Sequence, residues 1–147
     1  QTEAMSMADQ VVLLNRGRVE QAGPPRDLYA RPATTFAARF IGTPPMNLLA
    51  LDGGRIAGSD FGTGIAAATL GVRPEAVRLA GPGEGIDAVV RSAEYLGADL
   101  VLHCAVGSES LLVRTDGQQH VQAGAPVRLA WQAQDAHGFD TGGQRIH

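Results

Sequence analysis

The sequence contains no lysine, because all twelve of its basic residues are arginine. Its formal net charge is −3, and no segment gathers basic residues into a patch. Binding to the phosphate backbone of a nucleic acid requires a positive surface, so nucleic acid is not an expected partner. The planar guanidinium group favours phosphates and carboxylates, but a general compositional bias toward arginine is the simpler interpretation.

Cysteine is nearly absent as well, since Cys104 is the only one. A single cysteine excludes a disulfide within the chain and suits a reducing compartment. Leu102 and Val106 lie two positions to either side, at the spacing of one strand face, so Cys104 is predicted to be a small core residue. The four histidines, His103, His120, His137 and His147, do not share the spacing of a metal site.

Long hydrophobic runs are missing too. The longest, such as Val11–Leu14 and Leu48–Leu51, are far shorter than the ~20 residues of a membrane-spanning helix, and no secretion signal precedes them. No nucleophile stands in a pattern with an activating base, so no catalytic residue is predicted. Nineteen glycines, eight prolines and 44% apolar residues instead indicate a compact, turn-rich, mainly β protein.

The first third of the chain mixes helical and strand patterns. Residues 2–9 carry Ala4, Met5 and Ala8 at helical spacing. The apolar run 11–14 is typical of a buried strand, and the turn that follows predicts a hairpin with 18–22. Two short helices are then expected, over 26–30 and after Thr34 or Thr35. The second carries an apolar stripe of Phe36, Ala37, Phe40 and Ile41.

From Met46 onward the pattern alternates, as it does in half-buried strands. Short runs separated by glycine-rich turns recur about every ten residues, which predicts a sandwich or small barrel. The predicted strands are 46–51, 55–57, 69–73, 86–95, 100–106, 110–115 and 126–131.

Five segments, in order, resemble the ATP-binding subunits of ABC importers for sugars and glycerol phosphate. The stretch QTEAMSMADQ at the start resembles the sequence that follows the switch histidine of that family. The connector of that family is resembled by IGTPPMNLL (Ile41–Leu49). Its regulatory domain is resembled by three later segments: LGVRPEAVRL (Leu70–Leu79), AEYLGADLVLHCAVGSESLLVR and DAHGFDTGGQRI. The likeness is weakest over 52–68. The chain thus resembles the C-terminal part of such an ATPase, beginning just past its last catalytic residue.

The resemblance implies a fold and two domains. Residues 1–45 would be the end of the nucleotide-binding domain with linker helices. Residues 46–147 would be an OB-like β-barrel, the transport-associated regulatory domain. The full-length protein would use ATP and Mg²⁺, whereas the motifs that hold them have no counterpart here. The chain itself is therefore expected to have no cofactor and no ATPase activity.

Partners and location follow from the same resemblance. They are a second copy of the chain, permease subunits reached through the catalytic domain, and in some members a cytosolic regulator. The complex would lie at the cytoplasmic face of the plasma (inner) membrane. Because Val11–Leu14 would normally pack against preceding sheet and helices, the chain alone is expected to dimerise or associate further.

Two groups of residues carry the expected structural roles. The interdomain linker would comprise Ile41, Gly42, Pro44, Pro45, Met46 and Asn47, connecting moving parts with limited flexibility. Arg73, Pro74 and Glu75 would pin a corner by an ion pair or by backbone hydrogen bonds. The resemblance also marks His137, Phe139 and Asp140, and His137 is expected to hydrogen-bond a local turn.

Two other functions stay open at this point. A free-standing OB-type module could bind a small oxyanion, for which the candidate donors are Arg73, Arg78, Arg91 and Arg114. Such a site would require these arginines to converge in one cleft. A small hydrolytic enzyme is the other alternative, and no motif supports it.

Overall fold

The computed structural model describes residues 9–147. The helix predicted over residues 2–9 therefore lies almost wholly outside the described residues. The elements, in chain order, are β1 (Val11–Asn15), β2 (Arg18–Gly23), α1 (Pro25–Ala30), α2 (Thr35–Phe40), β3 (Asn47–Asp52), β4 (Arg55–Ile56), β5 (Thr69–Val72), β6 (Arg78–Ala80), β7 (Ile86–Leu96), β8 (Asp99–Val106), β9 (Glu109–Asp116), β10 (Pro126–Ala130) and β11 (His137–Phe139). Single 3-10 turns cover Pro74–Ala76 and Ala133–Asp135.

The strands after α2 form two antiparallel sheets. One has the order β6-β10-β7-β8-β9 and the other the order β11-β5-β3-β4. The larger sheet curls as half of a barrel, so the prediction of a mainly β, OB-like domain is confirmed. We call residues 46–147 the β domain, and residues 9–45, with β1, β2, α1 and α2, the N-terminal unit.

One hydrophobic core fills the space between the two sheets. The smaller sheet contributes residues such as Leu49, Leu70 and Val72, and the larger contributes Leu102 and Val113, all fully buried. Alternation along β8 decides which side chains enter this core. Cys104 is buried and the preceding His103 is exposed, as the strand spacing predicts. Burial raises the pKa of the Cys104 thiol to about 11, which suits a packing residue.

The N-terminal unit has a small core of its own. Leu13 of β1, Leu28 of α1, and Ala37 and Ile41 at α2 pack together. Thr34 caps α2, because its Oγ1 accepts a hydrogen bond from the Ala37 amide at 3.1 Å. Neither helix of the described residues is long and apolar enough to span a membrane.

β1 is covered on one face only. Val12 and Leu14 are 57% and 58% exposed, since only the Leu13 side of the hairpin packs on the helices. Such exposure is expected of a run that would normally pack against a preceding sheet. Together with Val19, 61% exposed on β2, they form an apolar outer face. The stripe of α2 is narrower than predicted, because Ala37 and Ala38 are buried whereas Phe40 is 50% exposed and stacks on Phe36.

Candidate functional site

The candidate site is the junction where the N-terminal unit meets the β domain. A third apolar cluster lies here, made of Ala38 of α2, Met46, and Phe139 of β11, with Leu48 beside them. The connector between the two parts, residues 41–46, runs along this cluster. Its amide at Met46 donates back to the carbonyl of Ala38 at 3.3 Å. The connector is therefore packed against both parts.

Arg73 lies at the centre of the junction. It follows β5 and is only 6% exposed. Nη1 donates to the carbonyl of Ile41 at 2.6 Å, and Nη2 donates to the carbonyl of Tyr29 at 2.8 Å. The guanidinium carbon lies 4.2 Å from the centre of the Tyr29 ring. Of the two sequence-based alternatives, ion pair or backbone hydrogen bonds, the structure has the second, since Glu75 is exposed.

The acceptors of Arg73 are backbone carbonyls at the C-terminal ends of two helices. The last carbonyls of a helix have no partner within it. Tyr29 lies in the last turn of α1, and Ile41 is the residue that caps α2. No carboxylate among residues 9–147 lies within 4.0 Å of the guanidinium, and Nε has no hydrogen-bond partner there. Burial lowers the pKa of Arg73 to about 10, so the guanidinium is still protonated at neutral pH. Two carbonyls and the Tyr29 ring stabilise this cation.

Gly42 makes room for this arginine. Its φ is +107°, a conformation that side chains rarely adopt. A Cβ at this position would lie 2.8 Å from Nη1 of Arg73 and 3.4 Å from the Tyr29 ring. The connector therefore approaches the guanidinium as closely as glycine allows.

We expect Gly42→Ala to lower the free energy of unfolding by at least about 2 kcal/mol, since it adds backbone strain and displaces Arg73. The matched control is Gly53→Ala. Gly53 also has a positive φ, of +59°, but its Cβ would meet nothing within 4 Å. Denaturant unfolding measures both, and equal losses would contradict the proposed contact with Arg73.

A second arginine holds the connector from the larger sheet. Arg114 of β9 donates through Nη1 to the carbonyl of Thr43 at 3.2 Å, while Nε and Nη2 hold Asp99 at 3.0 and 2.6 Å. Asn47, just past the connector, pairs with the backbone of Leu112. Its amide donates to the Leu112 carbonyl and its oxygen accepts from the Leu112 amide, both at 2.8 Å. Thr43 of the connector and Asn47, which follows it, thus both bind β9.

A third arginine reaches the segment between the two helices. Arg145 donates through Nε to the carbonyl of Pro32 at 2.9 Å, and its backbone amide donates to the carbonyl of Ala33. Its Nη2 lies 2.8 Å from Nδ1 of His137, and its guanidinium carbon lies 5.6 Å from the centre of the Phe139 ring. His137 thus supports an arginine eight residues later, which corrects the expectation of a local turn.

Burial, together with the cations around it, lowers the pKa of His137 to about 4. These cations belong to Arg145, Arg73 and Arg31, with His147 adding to them. The imidazole is therefore neutral at ordinary pH and can accept from the Arg145 guanidinium. Burial also lowers the pKa of Arg145, and Arg31 adds to the shift.

The remaining marked residues have local roles. Asp140 organises the turn that follows β11, because its Oδ1 accepts from the amides of Gly142 and Gln144 at 2.9 Å. Pro74 is buried and opens the 3-10 turn. Pro44 and Pro45 lie in the connector after Thr43, and the Thr43–Pro44 peptide bond is cis.

The four arginines of the oxyanion alternative do not converge. Arg73 is engaged with helix carbonyls, Arg114 with Asp99 and Thr43, and Arg78 with both oxygens of Glu84 at 3.0 and 3.1 Å. Arg91 is exposed on β7. In the described part of the chain, no group of three or more His, Cys, Asp or Glu side chains could hold a metal ion.

Sequence reasoning missed two of the three junction arginines. Arg114 and Arg145 lie in segments that resembled the importer ATPases, but their strand positions alone do not reveal which carbonyls they reach. Sequence distances of 71 and 113 residues separate them from Thr43 and Pro32. No sequence signal distinguishes these arginines from the other arginines of the chain.

Comparison with known proteins agrees with this architecture. The TOBE domain family matches residues 70–139, which include β5 to β11 and Arg73, Arg114 and His137. Among curated proteins, the chain is 41% identical to the sn-glycerol-3-phosphate import ATP-binding protein UgpC 3 of Agrobacterium fabrum, over 99% of the chain and 45% of that relative. It is 40% identical to UgpC of Cupriavidus necator (97% and 46%) and 41% identical to UgpC of Rhizobium meliloti (99% and 44%).

The chain spans about half the length of the curated relatives it matches. The similarity includes the N-terminal unit as well as the β domain, since it covers nearly all of the chain. Residues 70–139 match the TOBE domain family, and nearly the whole chain is similar to part of the sn-glycerol-3-phosphate import ATP-binding proteins.

Proposed function

We propose that this chain is the C-terminal regulatory and dimerisation part of the ATPase subunit of an ABC importer for glycerol 3-phosphate or sugars. The full-length protein would couple binding and hydrolysis of ATP, with Mg²⁺, to solute uptake. The observation that carries the proposal is similarity of about 40% to importer ATP-binding proteins over almost the whole chain. Residues 1–45 would then end the nucleotide-binding domain, and residues 46–147 would form the regulatory domain.

The outer face of the β1–β2 hairpin supports this division. Val12, Leu14 and Val19 are all more than half exposed, which is unusual for three neighbouring apolar side chains on a small sheet. In the proposal, the catalytic part of the nucleotide-binding domain covers this face. The hairpin would thus join the ATP-hydrolysing part to the residues described here.

The role of the β domain in this proposal is mechanical. A pair of β domains that stay in contact keeps two catalytic domains together while they open and close. Each closing step is then intramolecular, at an effective concentration of about millimolar for short connections. The complex would lie at the cytoplasmic face of the plasma membrane, bound to permease subunits, with a cytosolic regulator as a further partner.

The proposal is tested in a strain that lacks the gene. We expect loss of uptake of radiolabelled glycerol 3-phosphate or of a sugar such as maltose, and restoration by the intact gene. A variant with the phosphate-loop lysine of the catalytic domain replaced is the matched control, since it should fold and dimerise without restoring uptake. Unchanged uptake of both solutes in the deletion strain would contradict the proposal.

Dimerisation has its own measurement. We expect the purified gene product to sediment as a dimer at micromolar concentrations, with or without ATP, because the β domain and not the nucleotide would hold the pair. A monomer over that range, or a dimer formed only with ATP, would contradict the tethering role.

A further inference from the structure

We propose that the N-terminal unit and the β domain move as one rigid body, locked by three arginines of the β domain. Arg73, Arg114 and Arg145 each donate to backbone carbonyls on the other side of the junction. The four acceptors are the carbonyls of Tyr29, Ile41, Pro32 and Thr43. In this proposal, residues 41–47 are a strut and not a hinge.

The acceptors lie where a hinge would otherwise form. Tyr29 and Ile41 end the two helices, and Pro32 and Thr43 lie within three residues after those ends. Chain segments just past a helix usually move most freely, because their carbonyls have no regular partner. Here all four carbonyls are engaged by guanidinium groups from another part of the molecule.

Arg73 contributes most to the rigidity of the junction, because partial movement of a helix end would already break its hydrogen bonds. Its cation is buried without a carboxylate among the described residues, so its stabilisation depends on the Ile41 and Tyr29 carbonyls and the Tyr29 ring. If either helix end moved away by more than a hydrogen-bond length, a buried charge would lose its partner. Small rotations of the N-terminal unit are therefore opposed by a steep free-energy increase.

The other two arginines hold the junction from different sides. Arg114 extends from the larger sheet and is itself oriented by Asp99. Arg145 extends from the segment after β11 and is oriented by His137. Backbone hydrogen bonds strengthen that side, from Thr35 to the Gly143 carbonyl and from Arg145 to the Ala33 carbonyl, both at 2.9 Å. Three separate contacts oppose rotation of the N-terminal unit more than a single contact would.

The consequence for transport rests on the proposed function. If the chain serves an importer ATPase, the moving joint must lie before the hairpin or within the catalytic domain. The N-terminal unit would then carry each displacement of the catalytic domain directly into the β domain.

Distances between spin labels test the lock. Arg26→Cys on α1 and Ser92→Cys on β7 place the labels on exposed positions in the two parts, and native Cys104 is buried. Labelled subunits are diluted with an excess of unlabelled ones, so that only the distance within one subunit is measured. Pulsed electron resonance on the full gene product should then give one narrow distance distribution. Arg73→Met, Arg145→Met and Arg114→Met should each broaden it. Arg78→Met is the control, because its partner Glu84 lies within the β domain.

Each outcome decides the proposal. A broad or multiple distribution in the unsubstituted protein overturns it, as does a narrow distribution in the combined Arg73→Met and Arg145→Met variant. If circular dichroism reports that Arg73→Met does not fold, Arg114→Met is decisive, because that side chain is 39% exposed and part of it is dispensable for the core. The measurement uses no nucleotide or solute, so its failure would leave the transport assignment untouched.

Discussion

Arg73→Met is expected to lower the free energy of unfolding by about 2–4 kcal/mol, and the midpoint of thermal unfolding by about 10 °C. The carbonyls of Tyr29 and Ile41 lose their donor. The stacking of the guanidinium on the Tyr29 ring is also lost, which contributes about 1 kcal/mol at a ring that is 39% exposed. Urea unfolding followed by circular dichroism gives the difference between variant and unsubstituted protein.

Replacing a buried ion pair by apolar residues is often neutral or stabilising. That result requires both partners to be replaced. Here the partners of Arg73 are backbone carbonyls, which no substitution removes. Methionine relieves the cost of burying the cation, but it leaves two helix ends without donors. We therefore expect a net loss, smaller than the sum of the separate contacts.

Two further variants sharpen the test. Arg73→Lys keeps the charge, but a single ammonium is less suited to two separate carbonyls and a ring, so an intermediate loss is expected. Arg78→Met removes an exposed arginine that pairs with Glu84, and such surface pairs contribute at most about 1 kcal/mol. Equal losses for Arg73→Met and Arg78→Met would contradict a central role for Arg73.

The stability of the protein should fall as the pH is lowered from 6.5 to 4, and His137 is expected to account for part of the loss. In the unfolded chain its pKa is near 6.5, whereas burial and the nearby cations lower it to about 4 in the folded state. Between these values the unfolded chain binds a proton that the folded protein does not. The contribution decreases by at most about 1.4 kcal/mol per pH unit, with an upper bound of about 3.5 kcal/mol over the window.

His137→Asn separates this contribution from those of the carboxylates. Asparagine offers an oxygen near the position of Nδ1, so Arg145 keeps an acceptor, and the side chain does not titrate. We expect a flatter decline of stability between pH 6.5 and 4 in this variant. His103→Asn, at an exposed position on β8, is the matched control and should leave the decline unchanged. Identical pH profiles for His137→Asn and the unsubstituted protein would contradict the assignment.

Much of the fold followed from local patterns. Alternation from residue 46 onward predicted most of the long strands, and the spacing of Leu102, Cys104 and Val106 predicted which face of β8 is buried. β6 and β11 were not predicted, because three-residue strands give too few alternations to recognise. Which face of β1 the helices cover was not predicted, because the composition of a strand does not show which elements pack on it.

The junction was far less accessible to sequence reasoning. The resemblance to importer ATPases marked Arg73, Pro74, Glu75, His137, Phe139 and Asp140 as one group of structural residues. It did not reveal that Arg73 leaves Glu75 in solvent and binds helix ends 32 and 44 residues earlier in the chain. A guanidinium can reach a carboxylate or a carbonyl equally well, so its choice depends on what the folded chain brings within 3 Å.

By itself, the sequence determined the class of this protein: mainly β, without lysine, and similar over nearly its whole length to the C-terminal part of importer ATPases. Those properties depend on composition and on neighbours within a few residues, which local propensity and strand periodicity record. Only the tertiary structure decided how the N-terminal unit is held. The groups that accept the arginine hydrogen bonds are backbone carbonyls. Every residue has one, so the sequence does not show which of them will be bound. The arginines that bind them lie 32 to 113 residues away in the chain.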